Sequence, residues 1–206
     1  IGSGLVGSEM CIRDSNKRND IDFVIHGGDM SDFGVTKEFL WQRDIMNGLS
    51  VPYVTLIGNH DCLGTGAETY KAIFGPTNFS FIAGDVKFVC LNTNALEYDY
   101  SEPVPDFTFM ENELTNRTDE FNKTVISMHA RPYTDVFNDN VVKMFQHYVK
   151  QYPGIQFCTA AHTHHYRDDV IFDDGIHYVT SDSMDKRTYL VFTITPEKYE
   201  YELVKY

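Results

Sequence analysis

The sequence predicts a domain of mixed α/β class, in which a strand–helix–strand unit is followed by short strands. Apolar runs at residues 21–26 and 52–57 flank residues 35–50, where large apolar side chains recur near helical spacing. This order implies two parallel strands joined by a right-handed crossover. Four shorter runs near the end of the chain predict a β-meander: residues 170–172, 176–180, 188–195 and 199–204.

The middle of the chain supplies the remaining predicted elements. Gly84-Asp85 predicts the turn of a hairpin between two apolar runs, and Gly75 predicts the end of a short helix. The strands are predicted at residues 78–83, 86–92, 124–128 and 155–160, and the helices at 66–75 and 105–116. An apolar stripe from Phe137 to Tyr148 predicts a further helix against the core.

Composition limits the classes of function. The chain has 206 residues, of which 42% are hydrophobic, and this is enough for one large core. Its formal net charge of -13 leaves little to neutralise a phosphate backbone, so we expect no nucleic-acid partner. No apolar run reaches the length of a membrane span. The four cysteines have the spacing of neither a zinc cluster nor a disulfide framework, and Cys90 and Cys158 are predicted in the core.

The first fifteen residues differ in character from the rest of the chain. Residues 4–15 show no helical or strand periodicity, and they resemble the in-frame translation of a transposase-type sequencing adapter. We therefore expect residues 1–15 to be adapter-derived and residues 16–206 to form the domain. On this interpretation, a strand and a motif that belong upstream of Asn16 are missing.

Polar side chains directly follow several of the predicted strands. In chain order they are Asp29, Asn59, His60, His129, His162 and His164. Because ligands collect at the carboxyl ends of strands in such sheets, we expect these side chains to lie close together. Carboxylate, amide and imidazole donors without thiolates suit Mn, Fe or Zn. A carboxylate can bridge two such ions about 3.5–4 Å apart, which is the arrangement used for displacement at phosphorus.

The order of these motifs resembles the calcineurin-like metallophosphoesterase superfamily. The motifs are Gly-Asp-x-x-Asp at 28–32, Gly-Asn-His-Asp at 58–61, an isolated His129 and His-x-His at 162–164. The resemblance covers residues 16–206. It implies a four-layer αββα sandwich of two mixed sheets, two divalent metal ions and a small phosphorylated substrate.

The resemblance also implies metal ligands. Asp29 would bridge the two ions, and Asn59, His129 and His162 would bind one of them. His164 would bind the other ion. Each of these residues matches a position of the superfamily motifs.

Further roles are implied for residues beside the ligands. His60 would stabilise the transition state or protonate the leaving oxygen, with Asp61 as its partner. Asp32 would support the metal ligands without binding a metal ion itself. Arg131 and His165 follow ligand positions and are candidate substrate contacts.

The chain departs from the superfamily pattern at two points. The motif Asp-x-His, which ends the first strand in the superfamily, is absent from the sequence. One ion would then keep only Asp29 and His164, so we expect this chain to bind that ion poorly and to be weakly active or inactive. Ala161 replaces the usual glycine before His162, which is a mild steric change.

The function expected is hydrolysis of a phosphomonoester or a phosphodiester, and the motifs leave both open. Asp32 stands where purple acid phosphatases have a tyrosine, and Gly-Asn-His-Asp differs from the Gly-Asn-His-Glu of Ser/Thr phosphatases. The alternative is a non-catalytic metal- or phosphate-binding domain with one incomplete metal site. A nuclease is opposed by the acidic charge balance.

Overall fold

The computed structural model describes residues 3–99 and 101–206. Its helices are α1 (Ser3–Ser15), α2 (Thr36–Met46), α3 (Gly66–Phe74), α4 (Phe107–Thr115) and α5 (Val142–Val149). Its strands are β1 (Val24–His26), β2 (Tyr53–Thr55), β3 (Phe79–Ala83), β4 (Val86–Leu91), β5 (Lys123–Met128), β6 (Ile155–Ala160), β7 (Arg167–Asp169), β8 (His177–Thr180), β9 (Thr188–Ile194) and β10 (Tyr199–Lys205). Single 3₁₀ turns lie at His60–Cys62, Ala95–Tyr98, Asp139–Val141 and Met184–Lys186.

The larger sheet has six strands in the order β3-β4-β5-β6-β8-β7. Strands β4, β5, β6 and β8 are parallel, and the two edge strands, β3 and β7, are antiparallel to their neighbours. Every residue of β4 and β5 is buried, as expected for central parallel strands covered on both faces. The hairpin predicted around Gly84-Asp85 is confirmed by the β3–β4 pairing.

The second sheet layer consists of two separate ladders. Strands β1 and β2 pair in parallel, which confirms the predicted strand–helix–strand unit, and β9 and β10 pair antiparallel. The four-layer sandwich expected from the sequence would have one continuous mixed sheet in this second layer. Within the described residues, no pairing joins the β1–β2 ladder to the β9–β10 ladder.

Apolar clusters on alternate faces of the strands define the layers. Phe88 and Phe157 of the large sheet pack against Ile25 of β1 and against Phe192 and Tyr199 of the β9–β10 ladder. The opposite face of the large sheet packs against α4 and α5 through Val89, Leu91, Ile126, Met128, Met110, Phe145 and Val149. The outer face of β1–β2 packs against α1, α2 and α3 through Val24, Tyr53, Ile12, Phe39, Met46 and Tyr70. The molecule is therefore mixed α/β, with helices covering both outer faces of packed sheets.

The N-terminal segment forms a helix, whereas the sequence showed no periodicity over residues 4–15. Helix α1 packs on α2, with Ile12 buried and the Gln42 amide donating to the Ser8 hydroxyl. Tyr206, at the end of the chain, donates to the Gly7 carbonyl oxygen. Burial against the domain thus compensates for weak helical patterning. Residues 1 and 2 lie outside the described residues.

Two other elements differ from the predictions. Residues 170–172 were predicted as a strand, but β7 ends at Asp169, and Ile171 and Phe172 instead pack onto the core from a turn. The apolar stripe from Phe137 to Tyr148 spans a loop and a 3₁₀ turn before α5 begins at Val142. Tertiary burial, not continuous helix, explains the apolar character of both segments.

Cys62, Cys90 and Cys158 are buried free thiols, so the expected core positions of Cys90 and Cys158 are confirmed.

None of the described helices combines the length and the apolar character that a bilayer span requires.

Candidate metal centre

The predicted ligands follow the carboxyl ends of four strands that belong to the two facing sheet layers. Asp29 follows β1 and Asn59 follows β2, whose last residues are paired in parallel. His129 follows β5 and His162 follows β6, which are neighbours in the large sheet. Because the two layers pack face to face, these four ends meet at one side of the molecule.

The two imidazoles converge on the amide oxygen of Asn59, and Asp29 contacts one of them. The Asn59 Oδ1 lies 3.2 Å from His129 Nε2 and 3.0 Å from His162 Nδ1. The Asp29 Oδ2 lies 3.4 Å from the same His129 nitrogen. We refer to Asp29, Asn59, His129 and His162 as the donor group.

The other nitrogen of each imidazole faces a group that can accept a hydrogen bond but cannot donate one. His129 donates from Nδ1 to the Gly27 carbonyl oxygen at 2.7 Å, and His162 donates from Nε2 to the Asp135 carboxylate at 2.6 Å. In the neutral rings, His129 Nε2 and His162 Nδ1 are therefore unprotonated. Both lone pairs would then face the Asn59 oxygen, which is itself an acceptor, so either a bound cation or a proton on each ring would make the contact favourable.

Local backbone strain accompanies this convergence. Asp29 has φ 55° and His162 has φ 62°, in the left-handed region that residues with a Cβ rarely adopt. A Cβ on Gly58 would come 2.1 Å from the Asp29 Oδ1, so only glycine fits there. The Gly58 position therefore lets the β2 loop approach Asp29 closely.

His60 lies beside the donor group on the loop after β2. Its backbone N–H donates to the Asp29 Oδ1 at 3.1 Å, and its Nδ1 donates to the Asp32 carbonyl oxygen at 2.9 Å. The imidazole is exposed, so it is open to a ligand from solvent. Asp32 thus contacts His60 through its main chain, whereas the sequence had assigned it a supporting role for the metal ligands.

Asp61 is not the partner of His60. Its side chain is fully buried and accepts from the Ser31 N–H and the Gly58 N–H, both at 2.8 Å. Burial raises the pKa of Asp61 to about 7, although backbone hydrogen bonds oppose the rise. The pairing expected from the sequence is therefore replaced by a structural one, in which Asp61 joins the loops after β1 and β2.

Charges within the group shift two ionisation equilibria. Burial raises the pKa of Asp29, but its hydrogen bond and attraction to His129 outweigh burial and bring the pKa down to about 2. Burial lowers the pKa of His129, and the contact with Asp29 reverses this effect, so the pKa is raised overall. Without a metal ion, a proton on His129 is the cation that Asp29 can attract.

Three predicted residues make no hydrogen bond to the donor group among the described residues. His164 is exposed, and its carbonyl oxygen accepts from Lys186. Arg131 is buried, and its Nη2 donates to Asp169 at 3.1 Å, whereas its buried Nε has no hydrogen-bond partner among the described residues. His165 is exposed, and its Nδ1 donates to the Thr163 carbonyl oxygen at 2.8 Å. The assignment of His164 as a ligand and the substrate roles of Arg131 and His165 stay predictions.

The donor set suits a divalent ion of borderline character. Two imidazole nitrogens, an amide oxygen and a carboxylate are ligands typical of Mn, Fe or Zn. His, Cys, Asp and Glu side chains alone form no metal-binding group of three or more in the described part of the chain. The group depends on Asn59, whose amide oxygen lies between the two imidazoles.

Sequence reasoning missed the residues that hold the imidazoles. Asp135 lies in the loop after His129, where nothing in its spacing marks it, and Gly27 acts through a backbone carbonyl. Glu97 does not hold either imidazole by a hydrogen bond among the described residues, and it interacts with His60, Asp29 and His162 only electrostatically. None of these three roles has a motif, because each depends on which loops the fold places side by side.

Comparisons with known proteins identify the fold and the family. Solved structures with the same fold include a dimetal phosphatase from Danio rerio, with a TM-score of 0.67, 13% identity, and coverage of 87% of this chain and 79% of that chain. The protein TT1561 of Thermus thermophilus matches with a TM-score of 0.62, 12% identity, and coverage of 97% and 93%. GAP50 of Plasmodium, described as the anchor in the inner membrane complex, matches with a TM-score of 0.59, 12% identity, and coverage of 98% and 74%.

At these identities the solved structures establish the fold alone. No match was found among curated protein sequences. The family model of the calcineurin-like phosphoesterases matches residues 5–166, which is most of the chain and includes every residue of the donor group. The chain therefore belongs to the calcineurin-like phosphoesterase family.

Proposed function

We propose that this chain is a metal-dependent phosphoesterase that hydrolyses small phosphomonoesters or phosphodiesters. The observation that carries the proposal is the donor group, in which His129 Nε2 and His162 Nδ1 lie 3.2 and 3.0 Å from the Asn59 Oδ1. Membership of the calcineurin-like phosphoesterase family supports the reaction class. The proposal includes a centre of two divalent ions, which would be Mn, Fe or Zn, and a small phosphorylated substrate.

Asp29, Asn59, His129 and His162 would hold one divalent ion. When bound, that ion would supply Lewis-acid stabilisation of the charge on the phosphoryl oxygens. Asp29 is suited to hold it because it is ionised, with its pKa lowered to about 2. The Gly27 carbonyl and the Asp135 carboxylate keep the unprotonated imidazole nitrogens directed at the site.

His60 would act on the leaving group. Its Nδ1 proton is engaged by the Asp32 carbonyl oxygen, so the exposed Nε2 is the atom that can meet a substrate. When the ring is protonated, Nε2 can donate its proton to the departing ester oxygen. The backbone bond from His60 to Asp29 couples the position of this acid to the donor group.

A second ion would be held less well. Of the residues that the resemblance assigns to it, Asp29 belongs to the donor group, whereas the exposed His164 is joined to it by no hydrogen bond among the described residues. We therefore propose that this chain takes up one ion tightly and a second one weakly, with low activity.

The test compares the wild type with Asn59→Ala and His60→Ala, using p-nitrophenyl phosphate and bis(p-nitrophenyl) phosphate with added Mn²⁺ or Zn²⁺. Asn112→Ala and His147→Ala are matched controls, because both residues are exposed on helices α4 and α5. We expect metal-dependent turnover that both site variants reduce at least about tenfold, as for loss of a ligand or of a general acid.

Unchanged metal-dependent turnover in Asn59→Ala would overturn the assignment of the site. A wild type that binds metal without turning over either ester would instead support a non-catalytic metal-binding domain.

A further inference from the structure

The two histidines of the donor group present different nitrogens to it. His129 presents Nε2, because its Nδ1 donates to the Gly27 carbonyl oxygen at 2.7 Å. His162 presents Nδ1, because its Nε2 contacts the Asp135 carboxylate at 2.6 Å. A free imidazole interconverts between both tautomers, so each ring needs a partner that selects one of them. For His129 that partner is backbone, and for His162 it is a side chain.

We propose that Asp135 is a positioning residue that selects the tautomer of His162 and thereby sets the metal affinity of the donor group. The carboxylate can only accept, so it holds the proton of His162 on Nε2 and leaves Nδ1 free. Metal-binding histidines are usually oriented in this way by a carboxylate or a carbonyl oxygen. The inference rests on the proposed metal site, but it concerns a residue that no motif of the family match identifies.

The loop that carries Asp135 is well anchored, although its side chain is 80% exposed. The next two residues, Val136 and Phe137, are each 2% exposed and belong to the interior. The Val136 carbonyl oxygen accepts from the Leu96 N–H at 3.1 Å, which ties the loop to its neighbour. The backbone of Asp135 is therefore held in place before any metal binds, and only its carboxylate faces solvent.

Asp135 and Glu97 differ in the way they act on His162. Both carboxylates lie near the donor group, and Glu97 is close enough to interact electrostatically with His162. The hydrogen bonds of the His162 ring, however, go to Asn59 and Asp135. Neutralising Glu97 removes a nearby charge and leaves the hydrogen bond of His162 intact. Glu97→Gln is thus a matched control for Asp135→Asn.

The first measurement is made on metal-free protein. Imidazole ¹⁵N–¹H correlation spectra report which nitrogen of His162 carries the proton, with His162→Gln used to assign the signal. We expect the Nε2–H tautomer in the wild type and in Glu97→Gln, and a mixture of tautomers in Asp135→Asn. An unchanged tautomer in Asp135→Asn would overturn the proposal, whatever the activity of the protein.

The second measurement is the affinity for Mn²⁺ or Zn²⁺ by titration calorimetry. We expect Asp135→Asn to weaken binding about 10- to 100-fold, the usual effect of losing such a partner, and Glu97→Gln to stay within about threefold. Equal losses in the two variants, or no loss in Asp135→Asn, would contradict the proposal. Melting in EDTA should be the same for all, because both changes are at partly or largely exposed side chains. A wild type that binds metal but lacks turnover would refute the proposed function alone.

Discussion

His26, the last residue of β1, should make the stability of the metal-free protein depend on pH. The ring is buried, and its Nδ1 accepts from the Gly28 N–H at 3.3 Å. Burial lowers the pKa of His26 from 6.5 to about 4, and the nearby Asp29 only partly opposes this effect. The folded protein therefore keeps the ring neutral under conditions in which the unfolded chain protonates it.

The sign and size follow from linkage. Between pH 6.5 and pH 4 the unfolded state binds the extra proton on His26, so the His26 contribution to stability falls as the pH falls. A shift of about 2.5 units at about 1.4 kcal/mol per unit gives a full loss of about 3 kcal/mol, of which about 2 kcal/mol is already lost at pH 5. The raised pKa of His129 acts above pH 6.5 with the opposite sign, because that stability is lost as the pH rises. The pH range of the His129 effect therefore does not overlap with that of His26. The raised pKa of Asp61, about 7, acts in the His26 range with the opposite sign, but it is common to the wild type and the His26 variant and cancels in their difference.

The assay is urea unfolding in EDTA at pH 7.5 and pH 5, for the wild type and for His26→Asn. The asparagine oxygen can replace Nδ1 as the acceptor for Gly28, and it does not titrate. We expect the wild type to lose about 2 kcal/mol more than the variant between the two pH values. His147→Asn, at an exposed position, is the control and should behave like the wild type. The same pH dependence in His26→Asn and the wild type would refute the reasoning.

Three further expectations concern Asp61, Lys87 and His164. Asp61→Ala leaves two buried backbone N–H groups without an acceptor, so it should lower the free energy of unfolding in urea by about 2–6 kcal/mol. His60→Ala should leave the free energy of unfolding within about 0.5 kcal/mol of the wild type. Equal stability of the two variants would contradict the structural role of Asp61. The Lys87 side chain is 1% exposed, and its ammonium lies 2.8 Å from the Glu113 carboxylate. Lys87→Met leaves that carboxylate without its cation, so it should lower the free energy of unfolding by about 3–5 kcal/mol. A loss below about 1 kcal/mol in the same assay would refute this expectation. His164→Ala should leave the affinity of the first metal ion within about threefold in calorimetry, because His164 is exposed and outside the donor group; a tenfold loss would show that it belongs there.

Much of the site was predictable because its chemistry is local to strand ends. An apolar run followed by glycine and a polar donor is visible in the sequence, and parallel strands bring such ends to one edge. Asp29, Asn59, His129 and His162 were named on this basis together with the family resemblance, and the structure links them through contacts of 3.0–3.4 Å. The order of motifs was enough to predict the family.

Other features depended on contacts between loops that are distant in the chain. The sequence paired Asp61 with His60 because they are adjacent, but the fold turns Asp61 inward to the Ser31 and Gly58 N–H groups. Arg131 is a candidate phosphate contact, and only the fold shows that its guanidinium also donates to Asp169. Adjacent residues in a tight turn point in different directions, so adjacency does not predict which of them reaches the site.

The sequence by itself determined the mixed α/β class, the approximate positions of the core strands along the chain and the family, because apolar periodicity and strand-end chemistry are properties of short segments. The tertiary structure alone decided how the imidazoles are oriented. Asp135 reaches His162 across 27 positions and the Gly27 carbonyl reaches His129 across 102, so no local pattern could reveal either contact. Hydrogen bonds act over about 3 Å in space, and only the packed loops establish which groups come within that distance.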